Sequence, residues 1–428
     1  MLFCYNGSMG SRSLIPKGRV GWLICWGFLG LIFMLRFPVK FSLQPPYLMD
    51  FEVYRAAAQR IAQGGAEELY GPTYSKLAVF KYAPCWVLLW LPLAWIPSHI
   101  GPVLWASLTV LWLLIACGCA VRLCHLAGLR APPWLPVVTV ALLTRPLTAE
   151  FLNGQVDLLW ALLTMGFLVA DLSAQRTLAA LLLAFAIGLK LPAIIFLGYL
   201  LARRRWDMVA RVGCAFLAVN VFSSILLTPS RPFASLIAWP QVLWSSGASR
   251  AFEIGNQSLL TLAKRFLSDD PYELNLVTLP LPVVMGLTVL LAAVLFGLVL
   301  NGRSSRQPEP RRLAFDGSLL TLLMVLCSPT VWIATYSALL LPVSVAVACA
   351  STNPRQTWHR GVSAVLACAV LALSVMTHSW FWKALGIRSW RGESYVFLVL
   401  MILPWFALAL FGYLWIQRRH PLPPAAVS

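Results

Sequence analysis

Residues 82–121 read YAPCWVLLWLPLAWIPSHIGPVLWASLTVLWLLIACGCAV, forty positions without one Asp, Glu, Lys or Arg. About 20 apolar residues carry a helix across the hydrocarbon of a bilayer, where a backbone without water has to bond within its own segment. The stretch therefore reads as membrane helices. The same signature recurs at 317–354, 274–302, 394–417 and 361–382, runs of 38, 29, 24 and 22 residues without formal charge. These runs are continuous rather than alternating, which argues against a β-barrel. The whole chain agrees. It has 428 residues, 60% hydrophobic and 11% charged, with mean hydropathy +0.78, where a soluble domain carries roughly 25% charged residues.

A net charge of +18 would suit a nucleic-acid partner, but its distribution excludes one. The basic residues sit in short stretches between apolar runs: Arg203, Arg204 and Arg205; Arg303, Arg306, Arg311 and Arg312; Arg355 and Arg360; Arg418 and Arg419. That is the positive-inside pattern of cytosolic loops. Most of the ten cysteines lie within apolar runs and no CxxC pair occurs, so they read as small core residues, not as disulfides or metal ligands. Arg12, Lys17 and Arg19 precede the apolar run from Val20, and no small-residue cleavage site follows before Arg36. This reads as a retained first span rather than a removed signal.

Twelve spans are expected: 20–35, 82–96, 103–121, 132–148, 156–170, 178–201, 212–227, 277–300, 318–332, 336–350, 362–376 and 396–416. The domain reading is a cytosolic tail at 1–19, one transmembrane domain over 20–417 and a cytosolic tail at 418–428. A first outer loop at 37–81 and a second at 228–276 interrupt the spans, and 377–394 also faces outward. Two points stay open. Arg122 and Arg130 would lie outside, against the charge rule. The run 178–201 is broken by Lys190-Leu191-Pro192 into halves of about 18 Å, too short to cross. A re-entrant pair turning at Lys190 would move the preceding spans to the other side.

The first outer loop holds a predicted helix over 50–63. Phe51, Tyr54, Ala58 and Ile61 share one face and Glu52, Arg55 and Gln59 another, as in a helix resting at a membrane surface. Gly64-Gly65 stops it. Asp50 heads this helix, either as its N-cap or as a carboxylate placed to take a proton from an acceptor hydroxyl. Of the other outer carboxylates, Glu67, Glu68, Asp269 and Asp270 read as solvated loop or helix-start residues. Lys190 is an ionisable group at membrane depth, which is a functional candidate by default. In Asn153-Gly154-Gln155-Val156-Asp157 a cap role explains Asp157 and leaves Asn153 and Gln155 to bind something. Asn256-Gln257-Ser258 matches an N-glycosylation acceptor, and Trp332 reads as an aromatic-belt anchor. No βαβ unit, GxGxxG turn, Walker loop or HExxH motif is present, so soluble nucleotide-sugar enzymes, ATP-driven pumps and zinc hydrolases are not indicated.

These residues together resemble glycosyltransferase family 87. The resemblance runs from Asp50-Phe51-Glu52-Val53-Tyr54-Arg55-Ala56-Ala57 through Lys81-Tyr82-Ala83-Pro84, Asn153-Gly154-Gln155-Val156-Asp157 and Gly188-Leu189-Lys190-Leu191-Pro192 to Asn256-Gln257-Ser258 and Ser328-Pro329-x-x-Trp332. It covers roughly residues 45–345, and it rests on order and spacing. It departs from the family at Ala83 (proline in the pattern), at Asp157 (asparagine), and at Ala334 and Thr335, where members often carry a histidine. The resemblance implies a GT-C-type bundle of about 12 helices with an interfacial helix in the first outer loop. The protein would lie in a bacterial inner membrane with its site on the outer face.

By the same resemblance it implies a hexosyltransferase of the polyprenol-phosphate-mannose-dependent kind, with Asp50 catalytic. Nucleotide sugars are absent outside the cytosol, so the donor is expected to be a lipid-phosphate sugar, with no metal or cofactor indicated. The acceptor is expected to be a lipid or glycan. Arg55, Lys81 and Lys190 are the expected phosphate-binding cations, and Asn153, Gln155, Asn256 and Gln257 are further substrate-binding candidates. A lipid or small-molecule transporter and a non-catalytic assembly factor are the competing readings. A transporter would show paired broken helices in both halves, and a single broken segment is visible, at Lys190.

Overall fold

The computed structural model describes residues 19–73, 78–231, 233–250, 253–269, 275–301, 309–352, 361–377, 379–386 and 400–419. The tail arginines and lysine before residue 19, Arg303, Arg306, Arg355, Arg360, Asp270, Glu273 and Glu393 lie outside the described residues, as does the tail beyond 419. Among the described residues the fold is all-helical, with one isolated antiparallel bridge, Pro72 to Val79. Among the described residues five helices are long and apolar enough to cross a membrane: α1 (Val20–Leu43), α4 (Gly101–Leu126), α10 (Trp206–Leu227), α13 (Leu281–Leu300) and α15 (Ile333–Thr352). The bent pair α5 (Leu135–Leu142) and α6 (Thr144–Asn153) makes a sixth.

The remaining helices are α2 (Met49–Ala62), α3 (Pro84–Trp95), α7 (Asp157–Leu172), α8 (Arg176–Leu189), α9 (Leu191–Ala202), α11 (Ala234–Arg250), α12 (Leu259–Leu267), α14 (Glu309–Leu326), α16 (Gly361–Met376), α17 (Ser379–Ala384) and α18 (Ile402–Gln417). Two expected boundaries shift. α1 continues to Leu43 through a π-turn around Pro38, so the first loop begins later than residue 37. α3 rises only about 18 Å, shorter than a roughly 30 Å hydrocarbon core, over the expected span 82–96.

Proline sets the breaks, because it lacks the N–H that would bond four residues back. Pro146 leaves the Leu142 carbonyl without its helical donor, and the chain bends by 72° there. The Ser374 hydroxyl donates to that carbonyl at 3.0 Å. Pro192 likewise frees the Gly188 carbonyl, which accepts the Ala83 N–H at 2.8 Å. Ala83 stands where the family pattern has proline, and proline has no N–H to give.

Ion pairs show which helix ends lie together. Arg205 grips Asp171 at 2.5 and 2.8 Å, and Arg176 meets Asp207 at 3.2 Å. The start of α8 and the end of α9 therefore share one end of the bundle, and their junction at Lys190 reaches back to Asp157 at the opposite end of α7. At the arginine-rich end Asp316 is fully buried against Arg418 (2.7 Å), Arg203 (3.4 Å) and the Tyr199 hydroxyl (2.6 Å). The two expected outer loops touch: Trp239 on α11 donates to the Lys81 carbonyl at 3.0 Å, and Arg231 approaches Glu67 at 3.6 Å.

A polar site around Asp50

The site is built on one left-handed residue. Gly154 ends α6 at φ +70°, a conformation that costs a side-chain-bearing residue about 1–2 kcal/mol. A Cβ there would also lie 2.8 Å from the Cβ of Phe51 and 3.1 Å from that of Leu48. Only glycine lets the α6–α7 turn sit flat on the first turn of α2. The next residue, Gln155, is thereby brought to Asp50, and its Nε2 donates to Asp50 Oδ2 at 2.5 Å. The two residues are 105 positions apart in the chain.

Asp50 does not cap its helix. α2 starts at Met49 with Leu48 at the cap position and no side-chain cap bond, and Asp50 is half-buried in the first turn. Its neighbour Glu52 turns to Arg55 at 3.4 Å. The apolar face of α2 meets protein: Phe51 packs on Trp105, and Tyr54 on Trp90, Trp105 and Tyr82. The Tyr54 and Tyr82 hydroxyls meet at 3.0 Å. Burial, and to a lesser degree the Asp50 charge, raise both phenols well above their ordinary value, so they stay protonated. Lys81, beside Tyr82, is half-buried at the rim of this aromatic wall.

The cap role expected of Asp157 belongs to another residue. Asp157 lies inside the first turn of α7, fully buried, and forms an ion pair with Lys190. The α7 N-terminus is capped instead by Glu150 of α6, whose Oε1 accepts the Leu158 N–H at 2.9 Å. The other Glu150 oxygen accepts the Ser337 hydroxyl at 3.3 Å. Lys190 thus meets its counter-ion within the chain; its ammonium also lies 5.8 Å from the Trp160 ring centre. About a fifth of its side chain stays exposed. Asn153, the last residue of α6, is half-buried next to this turn.

Asn256 and Gln257 lie apart from this cluster, bonded to the 329–336 segment. The Asn256 amide donates to the Pro329 carbonyl at 2.8 Å and accepts the N–H groups of Val331 (3.0 Å) and Ser258 (3.1 Å). The Gln257 backbone bonds Val331 and the Tyr336 hydroxyl, both at 2.7 Å. Both residues are fully buried, and the Asn256 side chain that matches a glycosylation acceptor is taken up by these backbone bonds. Trp332 is not a bare belt anchor: its ring lies against Gly255, where a Cβ would come within 2.9 Å.

Sequence reading missed Glu150, Ser337 and Asp316. Glu150 and Asp316 are carboxylates inside otherwise apolar runs, and that placement was the available clue. Among the described residues no three His, Cys, Asp or Glu side chains gather as a metal ion would require.

Fold and site together define an all-helical protein, rich in helices able to cross a membrane, with a half-buried carboxylate held by a glutamine from a distant turn. The sequence profile of Glycosyltransferase family 87 matches residues 80–329, more than half of the chain, and the chain belongs to that family. Two curated relatives are both described as polyprenol-phosphate-mannose-dependent alpha-(1-2)-phosphatidylinositol mannoside mannosyltransferases. The protein from Mycobacterium tuberculosis (strain ATCC 25618 / H37Rv) is 30% identical over 232 residues, 49% of this chain and 52% of the relative. This match therefore spans about half of that relative's length. The protein from Mycolicibacterium smegmatis (strain ATCC 700084 / mc(2)155) is 26% identical over 367 residues, 78% of this chain and 76% of the relative. No solved structure matches.

Proposed function

We propose that this membrane glycosyltransferase moves a hexose, mannose by analogy with its relatives, from a polyprenyl-phosphate donor to a lipid-linked glycan acceptor. The observation that carries the reading is the pairing of half-buried Asp50 with Gln155, at the end of the bundle opposite the arginine cluster. In the reaction Asp50 removes the proton from the acceptor hydroxyl as its oxygen attacks the anomeric carbon. The bond from that carbon to the phosphate oxygen breaks on the opposite face. The lipid phosphate leaves with the electron pair, and the configuration inverts in one step. No covalent intermediate is needed, so one carboxylate suffices. Arg55, Lys81 and Lys190 supply positive charge for the phosphate, and Asn153 stands beside the turn that carries Gln155.

The topology that goes with this reading is a single transmembrane domain over residues 20–417 with both tails cytosolic. α3 dips into the outer leaflet and returns. α4 then brings Arg122 and Arg130 to the cytosolic side, with Arg176, Arg203–205, Arg312 and Arg418. Every basic cluster then obeys the positive-inside rule. Counting α8 and α9 as two short limbs gives about 12 membrane segments in a GT-C-type arrangement, with α2 at the outer surface.

The test is incubation of membranes containing the protein with radiolabelled polyprenyl-phosphate mannose, followed by lipid extraction. Label is expected in a polar glycolipid that membranes lacking the protein do not form. Transfer from a nucleotide sugar under conditions that block polyprenyl-phosphate sugar synthesis would overturn the donor assignment.

A further inference from the structure

We propose that Gln155 is a positioning residue for Asp50 rather than a ligand of the substrate: its carboxamide holds one carboxylate oxygen and so sets the direction of the other. The inference rests on Asp50 acting as the base. Three observations carry it. Gln155 is 7% exposed, so little of it is left for a substrate to touch. Only the NH2 end of a carboxamide attracts a carboxylate, and that end lies 2.5 Å from Asp50 Oδ2. The turn holding Gln155 is itself fixed. Its backbone N–H donates to the Glu150 carbonyl at 3.0 Å, and Gly154 lies against Leu48 and Phe51 on either side of Asp50.

An Asp carboxylate rotates about its last torsion with little resistance. A donor fixed on Oδ2 stops that rotation, so Oδ1 keeps one direction before the acceptor arrives. Preorganisation of this kind acts on the chemical step, not on substrate affinity. The donor also favours the charged carboxylate over its acid form. Removing the donor therefore raises the pH at which the base becomes protonated, and the acid limb of the rate profile moves upward. A residue that touched substrate would move KM, and one that only packed would move neither the limb nor KM.

The experiment uses the purified full chain in detergent, with polyprenyl-phosphate mannose and a lipid-linked mannoside acceptor, and compares Gln155→Leu, Gln155→Glu and Asp50→Asn with the parent. Gln155→Leu keeps most of the side-chain volume and removes the donor. It is expected to lower kcat between about tenfold and a hundredfold, what a hydrogen bond to a charged group is worth. Both KM values should stay within about twofold while the acid limb rises by about one pH unit. Gln155→Glu, nearly isosteric and hence safe for the fold, should raise the limb further, because two carboxylates then share the site. A raised KM with unchanged kcat, or a lost rate with an unmoved limb in both variants, overturns the positioning role. Asp50→Asn separates the two ideas. If it still transfers sugar, the base assignment fails and the inference with it. If it is inactive while the Gln155 variants behave like the parent, the inference alone fails.

Discussion

Asp50 and Glu52 are the two acids of the first turn of α2, and their surroundings separate them. Glu52 is paired with Arg55, whereas the Asp50 carboxylate accepts the Gln155 amide. Asp50→Asn removes the base but no cap bond, so it should express and insert normally. Radiolabel transfer should fall by about 10² or more, the scale of a positioned base. Glu52→Gln should retain most of its activity; the reverse ranking would assign the role to Glu52. Lys190 calls for a paired test. Lys190→Met strands the buried Asp157 carboxylate, a change that costs about 3–5 kcal/mol. The double variant Lys190→Met/Asp157→Asn should recover much of that stability in thermal unfolding. If Lys190 also holds the donor phosphate, the double variant keeps a raised donor KM. A donor KM at the parent value would leave Lys190 as the clasp of the broken helix alone.

At the scale of elements, the α6–α7 turn meets three other parts of the fold. It meets α2 through Gly154 and Gln155, the α8–α9 break through Asp157, and the start of α15 through Glu150 and Ser337. Gly154→Ala places a methyl group against Phe51 in a left-handed backbone. It should lower the midpoint of thermal unfolding in detergent and reduce transfer at least as far as Gln155→Leu, since the turn must lift away from α2. An unchanged midpoint would mean that α2 can shift to make room. The break at Pro192 was visible in the sequence, as was the helix expected over 50–63, which runs Met49–Ala62. Their attachments were not. Nothing in Ala83 announces that its N–H will fill the carbonyl freed by Pro192, because that bond spans more than a hundred residues.

For the whole molecule, the proposed membrane topology makes a prediction of its own. In the proposed topology α3 does not cross, and the segment after α4 lies on the same side as Arg203–205. Alkaline phosphatase fused after Gly65 should be active, and the same reporter after Gly128 inactive, while a fluorescent protein after Gly128 should be bright. Phosphatase activity at Gly128 would restore residues 82–96 as a crossing segment and invert the helices that follow.

The sequence alone determined the solvent of this protein, since long uncharged runs fold stably only where lipid or other helices surround them. It also placed the carboxylate, the lysine and the glycine turn on the chain, because each breaks an apolar or helical pattern locally. What it left open was partnership. Asp157 with Lys190, Gln155 with Asp50, Glu150 with the α7 N-terminus and Asn256 with the 329–331 strand of backbone are contacts between distant segments. Local pattern carries no information about which distant groups meet. Only the packing of helices, which leaves each buried polar group to find the donor or acceptor within reach, decided those pairs.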